Sequence, residues 1–241
     1  MSFKNISFIL HQPQLSENIG ACARSIKNFN FKKLVIIKPK PIFPNDKILA
    51  TSVGAKDIIV NSKVYESLEL AVKKVDYVIA TSARFRNKNI KHIKLDDLIN
   101  VDFSKNVAFL FGSEASGLSN NEISYANYTL QIPTNPEFKS LNLSHSVIII
   151  AHTVARIIKL KSSNYSKSRK VSLASKKDIQ AMTNLCINKL DQKNFFKPLE
   201  KRAKMLENLR SIFYKMELSE KEIRILSSVF ASLAKKGSLT K

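Results

Sequence analysis

The chain has 241 residues, 44% of them hydrophobic, which is enough apolar material for one sizeable core and a small second unit. Lys and Arg number 40 against 19 Asp and Glu, and the formal net charge of +21 favours nucleic acid as a partner over a membrane surface. The longest apolar run, residues 147–151, is far shorter than the ~20 residues of a transmembrane helix. We therefore expect no membrane span.

The N-terminal residues MSFKNISFIL carry too short an apolar stretch for a secretory signal. Cys22 and Cys186 have neither metal-ligand spacing nor a secretory context, so both are expected to be reduced core residues. Together these features predict a cytoplasmic protein.

Apolar strands alternate with helical patterns through residues 1–161. Strands are predicted at 6–11, 34–37, 58–60, 77–80 and 107–111, with an extended segment at 128–132. Helices are predicted at 17–29, 65–75, 119–124 and 144–160. Short apolar strands alternating with helices indicate an α/β domain built around a mostly parallel sheet.

The pattern changes at residues 162–177, a Ser-rich segment with five basic residues and no acidic one, which is predicted to be a linker. An unopposed basic run suits phosphate contacts, and its candidates are Lys167, Arg169, Lys170, Lys176 and Lys177. Residues 178–241 show only helical periodicity, with a capping box at Ser219 and Glu222. Residues 162–241 hold 18 basic and 7 acidic residues, so residues 178–241 are predicted to bind nucleic acid; a solvated helical face is the alternative.

Residues 112–119, GSEASGLS, have the spacing of a phosphate-binding P-loop, but Leu118 stands where the lysine belongs. Leu118 cannot neutralise phosphates, and Glu114 would repel them, so a nucleoside-triphosphate site is not expected. The chain also lacks G-x-G-x-x-G and G-x-S-x-G motifs, and its four histidines are scattered. We therefore expect no dinucleotide, serine-hydrolase or metal site.

Four polar segments each follow a predicted strand, at residues 12–24, 81–84, 112–118 and 132–144. Ligands of open α/β sheets bind outside the carboxyl ends of the strands, so the four segments are expected to converge on one site. Their small residues, backbone donors and few charges suit a neutral or zwitterionic ligand better than a triphosphate.

These segments resemble the motifs of the SPOUT-class RNA 2′-O-ribose methyltransferases, SpoU/TrmH branch. The first motif is Asn18-Ile19-Gly20 with Ala23-Arg24, and the second is residues 111–114, FGSE, followed by Gly117-Leu118. The third is Ile132-Pro133 followed by residues 140–144, SLNLS. Within the branch, TSAR at 81–84, NPEFKSLNLS at 135–144 and the basic segment 195–213 are most similar to the TrmJ subfamily.

The resemblance implies a C-terminal trefoil knot in the sheet domain and a small all-helical C-terminal domain that binds tRNA. It implies S-adenosylmethionine as cofactor, held by Thr81, Ser82, Ala83, Gly112, Ile132, Ser140 and Leu141. The implied catalytic and substrate-binding group is Arg24, Asn18, Glu114, Ser140 and Asn142. A lysine at position 118 would repel the positive sulfonium of this cofactor.

The same resemblance implies a homodimer in which Arg24 of one subunit reaches the cofactor site of the other, at the subunit interface. The implied reaction is methylation of a cytidine or uridine 2′-hydroxyl at nucleotide 32 of the tRNA anticodon loop. One departure is Ala151-His152-Thr153 where the family usually has a Tyr-Glu pair, and it affects the expected details of dimer packing.

Several alternatives stay open on the sequence. Arg24 suits phosphate binding and alkoxide stabilisation better than proton abstraction, because a guanidinium has a very high pKa; it could also be a surface arginine. Glu114 could cap a helix start, and Asn142 could cap the last helix of the sheet domain with Ser144 as competitor. The function could also be methylation of rRNA or another tRNA position, or non-catalytic RNA binding or ribosome assembly on the same scaffold.

Overall fold

The computed structural model of this protein describes residues 3–83, 90–163 and 173–233. Its described strands form one seven-stranded sheet in the order β3-β2-β1-β6-β4-β7-β5, and every strand pair in it is parallel. The strands are β1 Ile6–His11, β2 Lys33–Ile37, β3 Lys63–Tyr65, β4 Tyr77–Thr81, β5 Lys91–Lys94, β6 Val107–Phe111 and β7 Tyr128–Gln131. The expected α/β fold with a parallel sheet is confirmed.

The helices of the sheet region are α1 Ser16–Asn28, α2 Asp46–Thr51, α3 Lys56–Val60, α4 Leu68–Val72, α5 Asn120–Ile123 and α6 Leu143–Ser163. The C-terminal part contains α7 Lys176–Gln192, α8 Arg202–Lys215 and α9 Glu220–Leu233. Short 3-10 helices span Asp96–Asn100 and Leu199–Lys201. Helix α9 begins after the capping box predicted at Ser219 and Glu222, whose side chains bond reciprocally to each other's backbone N–H.

Side chains that alternate along the strands build two cores, one on each face of the sheet. In β1, Phe8 and Leu10 belong to the core that includes α1 and α6, whereas Ile9 belongs to the core that includes α4 and α5. All three side chains are fully buried. Helices on both faces explain why these strands read as continuous apolar runs rather than as alternating ones.

Helix α6 is long and apolar enough to cross a membrane by length and composition, with a mean hydropathy of 1.4 over Leu143–Leu160. In the fold, Val147, Ile150 and Val154 are fully buried in the same core as α1. The side chains of His145, His152 and Arg156 on this helix are exposed. Part of the apolar surface of α6 thus belongs to the core of the sheet region.

The strand predicted at residues 58–60 is wrong, because this segment is the last turn of α3. The N–H groups of Ile58 and Ile59 both bond to the carbonyl oxygen of Ala55, and both side chains are buried. A short apolar run carries no periodicity that separates a buried helical turn from a strand. The strand pairing with β2 is β3, which begins at Lys63.

Helices α7, α8 and α9 share a third apolar cluster, to which Tyr125 of the sheet region also contributes. The side chain of Asn127 joins the two parts of the chain, because its Oδ1 accepts from Val78 N at 2.9 Å and its Nδ2 donates to Tyr214 O at 2.7 Å. The backbone N–H groups of Lys176 and Lys177 donate to the carbonyl oxygens of Val75 and Lys73, at 2.9 and 2.8 Å. The start of α7 is therefore bonded to the sheet region.

Lys176 is not the phosphate contact that the sequence predicted, since its side chain is fully buried. Its Nζ donates to Tyr214 O at 3.1 Å and lies 4.9 Å from the centroid of the Tyr214 ring. Burial lowers the pKa of Lys176 to about 7, although the Asp76 carboxylate acts in the opposite direction. Because lysine is most often a surface residue, nothing in the sequence indicated this burial.

The segment between α6 and α7 is shorter at both ends than the predicted linker, 162–177. Helix α6 continues to Ser163, and Ser175 caps α7 through a capping box with Asp178. Lys177 is exposed, as a phosphate contact requires. Lys167, Arg169 and Lys170 lie outside the described residues.

Candidate active site

A cavity of about 550 Å³ opens at the carboxyl ends of β4, β6 and β7. These strands and β1 are neighbours in the sheet, so the four polar segments start from one edge, as expected. The seven residues implied for cofactor binding all line the cavity: Thr81, Ser82, Ala83, Gly112, Ile132, Ser140 and Leu141. None of residues 12–24, the segment after β1, lines the cavity. Glu114 does line it, and its carboxylate accepts a hydrogen bond from Asn18 in that segment.

The loop after β6 is closed tightly by its own backbone. The amide N–H of Gly117 donates to Ser113 O at 2.9 Å, and Gly117 adopts a φ of +66°, which favours glycine. A Cβ on Gly112 would lie 2.2 Å from the carbonyl carbon of Gly117, so no side chain fits at position 112. The side chain of Leu118 is 3% exposed and belongs to the α4–α5 core while also lining the cavity. A leucine at this position therefore has a packing reason independent of any ligand.

The carboxylate of Glu114 turns away from its own loop towards the start of α1. It accepts hydrogen bonds from Gln14 N at 2.8 Å, Leu15 N at 3.3 Å and Asn18 Nδ2 at 2.7 Å. The Leu15 side chain cannot cap α1, so a carboxylate about 100 residues away along the chain occupies the positive end of this helix. Glu114 thus binds a helix start, and it also orients the side chain of Asn18.

Asn18 continues this polar chain to the third motif. Its Oδ1 accepts from Asn142 Nδ2 at 3.0 Å, and Asn142 Oδ1 accepts from both Ser144 N and Ser144 Oγ at 2.8 Å. Asn142 immediately precedes α6, so it acts as the cap of this helix and as the partner of Asn18 at the same time. Three residues of the implied catalytic group therefore form one hydrogen-bonded network beside the cavity.

The other two members of that group differ in position. Ser140 is exposed and lines the cavity, whereas Arg24 does not line it. Arg24 lies on an exposed part of α1, six residues after Asn18, and within the described residues it has no hydrogen bond or ion pair. The single chain therefore leaves the Arg24 guanidinium away from the cavity and open to solvent.

Two other residues of α1, Gly20 and Cys22, have structural roles. Gly20 allows α1 to pack against α2, because a Cβ there would lie 2.1 Å from Thr51 Oγ1 and 2.5 Å from Ile48 O. Cys22 is fully buried, and burial together with the nearby Glu114 carboxylate raises the pKa of its thiol. The Cys22 thiol is consequently an inert core group.

The lining also includes side chains that sequence reasoning did not single out, among them Pro136, Glu137, Phe138, Lys139, Ser113, Ser116 and Ser146. Phe138 is the most unusual, since its side chain is 75% exposed. Its position inside the segment NPEFKSLNLS, a polar stretch after a predicted strand, was a usable signal, because binding residues are often found on such loops. Among the described residues, no three His, Cys, Asp or Glu side chains come together as a metal site.

Comparison with known proteins identifies the class to which this fold and site belong. Residues 5–152 match the model of the SpoU rRNA Methylase family, so the chain is a member of that family. The resemblance to the TrmJ group within it, inferred from the motifs, is confirmed by the relatives that follow.

Two TrmJ relatives show how far this similarity extends. The tRNA (cytidine-2′-O-)-methyltransferase TrmJ of Sulfolobus acidocaldarius is 30% identical over 96% of each chain. The protein of the same name from Methanocaldococcus jannaschii is 36% identical over 62% of this chain and 66% of its own. Among solved structures, TrmJ from Z. mobilis has a TM-score of 0.85 at 28% identity and covers 95% of this chain and 99% of that one. The likeness to TrmJ proteins thus extends through the C-terminal helices.

Proposed function

We propose that this protein transfers a methyl group from S-adenosylmethionine to a ribose 2′-hydroxyl of tRNA. The observation that carries the proposal is the cavity at the strand ends, bordered by the Glu114–Asn18–Asn142 network, in a chain of the SpoU rRNA Methylase family. The names of the TrmJ relatives, which specify tRNA 2′-O-methylation, support the substrate and the reaction.

S-adenosylmethionine fits the cavity by size and chemistry. A volume of about 550 Å³ lies within the usual range for small-molecule sites. Thr81, Ser82, Gly112, Ile132 and Leu141 offer hydroxyl and backbone groups with no charge, as suits a zwitterionic ligand that already carries a positive sulfonium. When bound, the cofactor supplies an electrophilic methyl group.

The chain's own residues then position the substrate. A ribose hydroxyl is a weak nucleophile, so fixing its oxygen in line with the methyl carbon supplies much of the rate. Asn18 and Asn142 are held by their mutual hydrogen bond and by bonds to Glu114 and Ser144. These bonds fix the position of Ser140 and the cavity wall relative to α1. The Arg24 guanidinium binds the phosphate beside the target and stabilises the developing alkoxide through its planar set of N–H donors.

Arg24 performs this role in the active site of a second subunit. Its exposure and its separation from its own cavity support a homodimer with the active sites at the interface. We further propose that residues 107–163 contain the trefoil knot of the family, since they hold the second and third motifs and α6.

The C-terminal residues 178–241 form the tRNA-binding part of the proposal, and the target is a cytidine or uridine at nucleotide 32. The net charge of +21 and the 18 basic residues in positions 162–241 support RNA binding. The target nucleotide rests on the resemblance to the TrmJ subfamily. The exposed Lys177 at the start of α7 and the predicted contacts Lys167, Arg169 and Lys170 would extend this basic surface.

Two measurements test the function. Calorimetry with S-adenosylmethionine should show micromolar-range affinity, whereas a non-catalytic RNA-binding protein on this scaffold would give no heat. Mass spectrometry of tRNA incubated with the protein and cofactor should locate a single 2′-O-methyl group at nucleotide 32. A methyl group at another tRNA position or on rRNA would correct the substrate, and no transfer would contradict the activity.

A further inference from the structure

We propose that Phe138 is the residue on which the base of the target nucleotide stacks while its ribose is methylated. This inference rests on the proposed function and adds the way in which the nucleotide is held. It starts from an aromatic side chain that lines the cavity and yet is 75% exposed.

The backbone around Phe138 holds the ring at the cavity rather than in a core. Phe138 N donates to Asn135 O at 3.0 Å, and Glu137 N donates to Asn135 Oδ1 at 3.0 Å, which closes a turn just before the ring. Four residues later, Asn142 is bonded to Asn18 and caps α6, so the loop is fixed on this side as well. Among the described residues, Phe138 has no aromatic or cationic partner.

A single exposed apolar side chain is ordinary, and Ile42, which is 84% exposed and does not line the cavity, is an example. Phe138 differs because it precedes Ser140 and Leu141, two lining residues of the proposed cofactor site, by only two and three positions. The 2′-hydroxyl and the base are attached to adjacent carbons, C2′ and C1′, of one ribose. When the hydroxyl reaches the methyl donor, its base therefore lies at the mouth of this cavity.

An unpaired base in an RNA loop is commonly bound by stacking on an aromatic ring. Stacking tolerates different bases, since each offers a π-face. A ring at this position would accept both cytidine and uridine without hydrogen bonds that read the base. The adenine of the cofactor is the other aromatic group that could use the ring.

The test is a double-mutant cycle between the side chain and the base. The full-length protein and its Phe138→Ala variant are each assayed on an anticodon stem–loop with the normal target base and on one with an abasic ribose there. In the wild type, removal of the base should lower kcat/KM about 10-fold. In Phe138→Ala the kcat/KM on the normal substrate should already be about 10-fold lower than in the wild type, and removal of the base should lower it little further.

Equal losses from base removal in both proteins would overturn the proposal. Phe138→Tyr should restore the wild-type rate and Phe138→Leu should not, because only tyrosine keeps a π-face; Ile42→Ala is the control for an exposed apolar truncation. S-adenosylmethionine affinity should stay within about twofold in Phe138→Ala, and a loss as large as that of kcat/KM would instead assign the ring to the cofactor.

The same cycle can be measured as affinity for the stem–loop, with an abasic ribose placed at each loop position in turn. This measurement does not depend on methyl transfer. An inactive wild type would therefore contradict the proposed function, and the affinity cycle alone would decide the stacking.

Discussion

Asn18 and Asn142 are 124 positions apart in the chain and are joined by a hydrogen bond of 3.0 Å from Asn142 Nδ2 to Asn18 Oδ1. Because Asn142 also caps α6, a single side chain connects the packing of the last helix of the sheet region to the first motif. The two roles can be separated by mutation.

Asn142→Ser should keep the cap and lose the bond to Asn18, since serine caps helices well but is too short to reach across. We expect nearly wild-type stability with a methylation rate about 100-fold lower. Asn142→Ala should lose both roles and should in addition be destabilised by about 1 kcal/mol. Urea unfolding and tRNA methylation assays measure the two effects; equal activities of Asn142→Ser and the wild type would show that the bond is not needed.

Mixed dimers test whether Arg24 acts across the proposed subunit interface. Arg24→Ala and Asn142→Ser homodimers should both be nearly inactive. Co-expression with two affinity tags produces heterodimers in which one of the two sites has both native residues, and the purified heterodimer should recover about half of the wild-type rate. Recovery below a few per cent would place Arg24 in its own subunit's site, and a fully active Arg24→Ala homodimer would contradict its catalytic role.

The buried Lys176 should make stability depend on pH. Its folded-state pKa of about 7 lies below the ordinary 10.5, so between these values the unfolded chain binds more protons than the folded one. Stability should therefore rise as the pH increases from 7 towards 10, by an amount on the order of a few kcal/mol, and should be insensitive to this group below pH 7.

Lys176→Met is the matched variant for this effect. It keeps the length of the side chain, and Tyr214 O retains the hydrogen bond from Asn127 Nδ2. The difference in unfolding free energy between wild type and variant, measured by urea titration at pH 7 and pH 9.5, should therefore shrink or reverse at the higher pH. A difference that is the same at both values would show that Lys176 remains protonated when buried.

The basic segment before α7 should contribute to tRNA binding through phosphate contacts. Replacing Lys167, Arg169 and Lys170 together by Gln should weaken binding and should reduce the slope of log affinity against log salt by roughly 2–3. Lys63, an exposed residue on edge strand β3, provides the control, and Lys63→Gln should leave the slope unchanged. An unchanged slope in the triple variant would show that these side chains contact no phosphate.

The sequence was sufficient for the five inner strands of the sheet, because buried parallel strands such as β1 and β6 are recognisable as continuous apolar runs. It was insufficient where local pattern and tertiary packing disagree, as in α3, where a three-residue apolar run belongs to a helical turn. β5, with the polar sequence KHIK, was missed because an edge strand needs little apolar surface. The short helix α2, which packs against Gly20, was also missed.

The cavity lining was largely predictable from motif positions, since strand order brings the motif-bearing loops to one edge. The hydrogen-bond partners of the site residues were not predictable in this way. That the Glu114 carboxylate binds the start of α1 depends on the three-dimensional path of two loops about 100 residues apart. The burial of Lys176 likewise depends on how the start of α7 meets Tyr214 of α8 and Val75 before β4, and residue type alone indicated the opposite.

The Glu114 contacts have a consequence for how this site tolerates change over evolution. Two of its three hydrogen bonds come from the backbone of Gln14 and Leu15, and any residue except proline supplies the same donor. We therefore expect the side chains at positions 14 and 15 to vary among relatives, and Glu114 and Asn18 to be retained together. Aspartate at 114 would be one methylene too short to reach α1, so even this conservative exchange should be rare in active homologues.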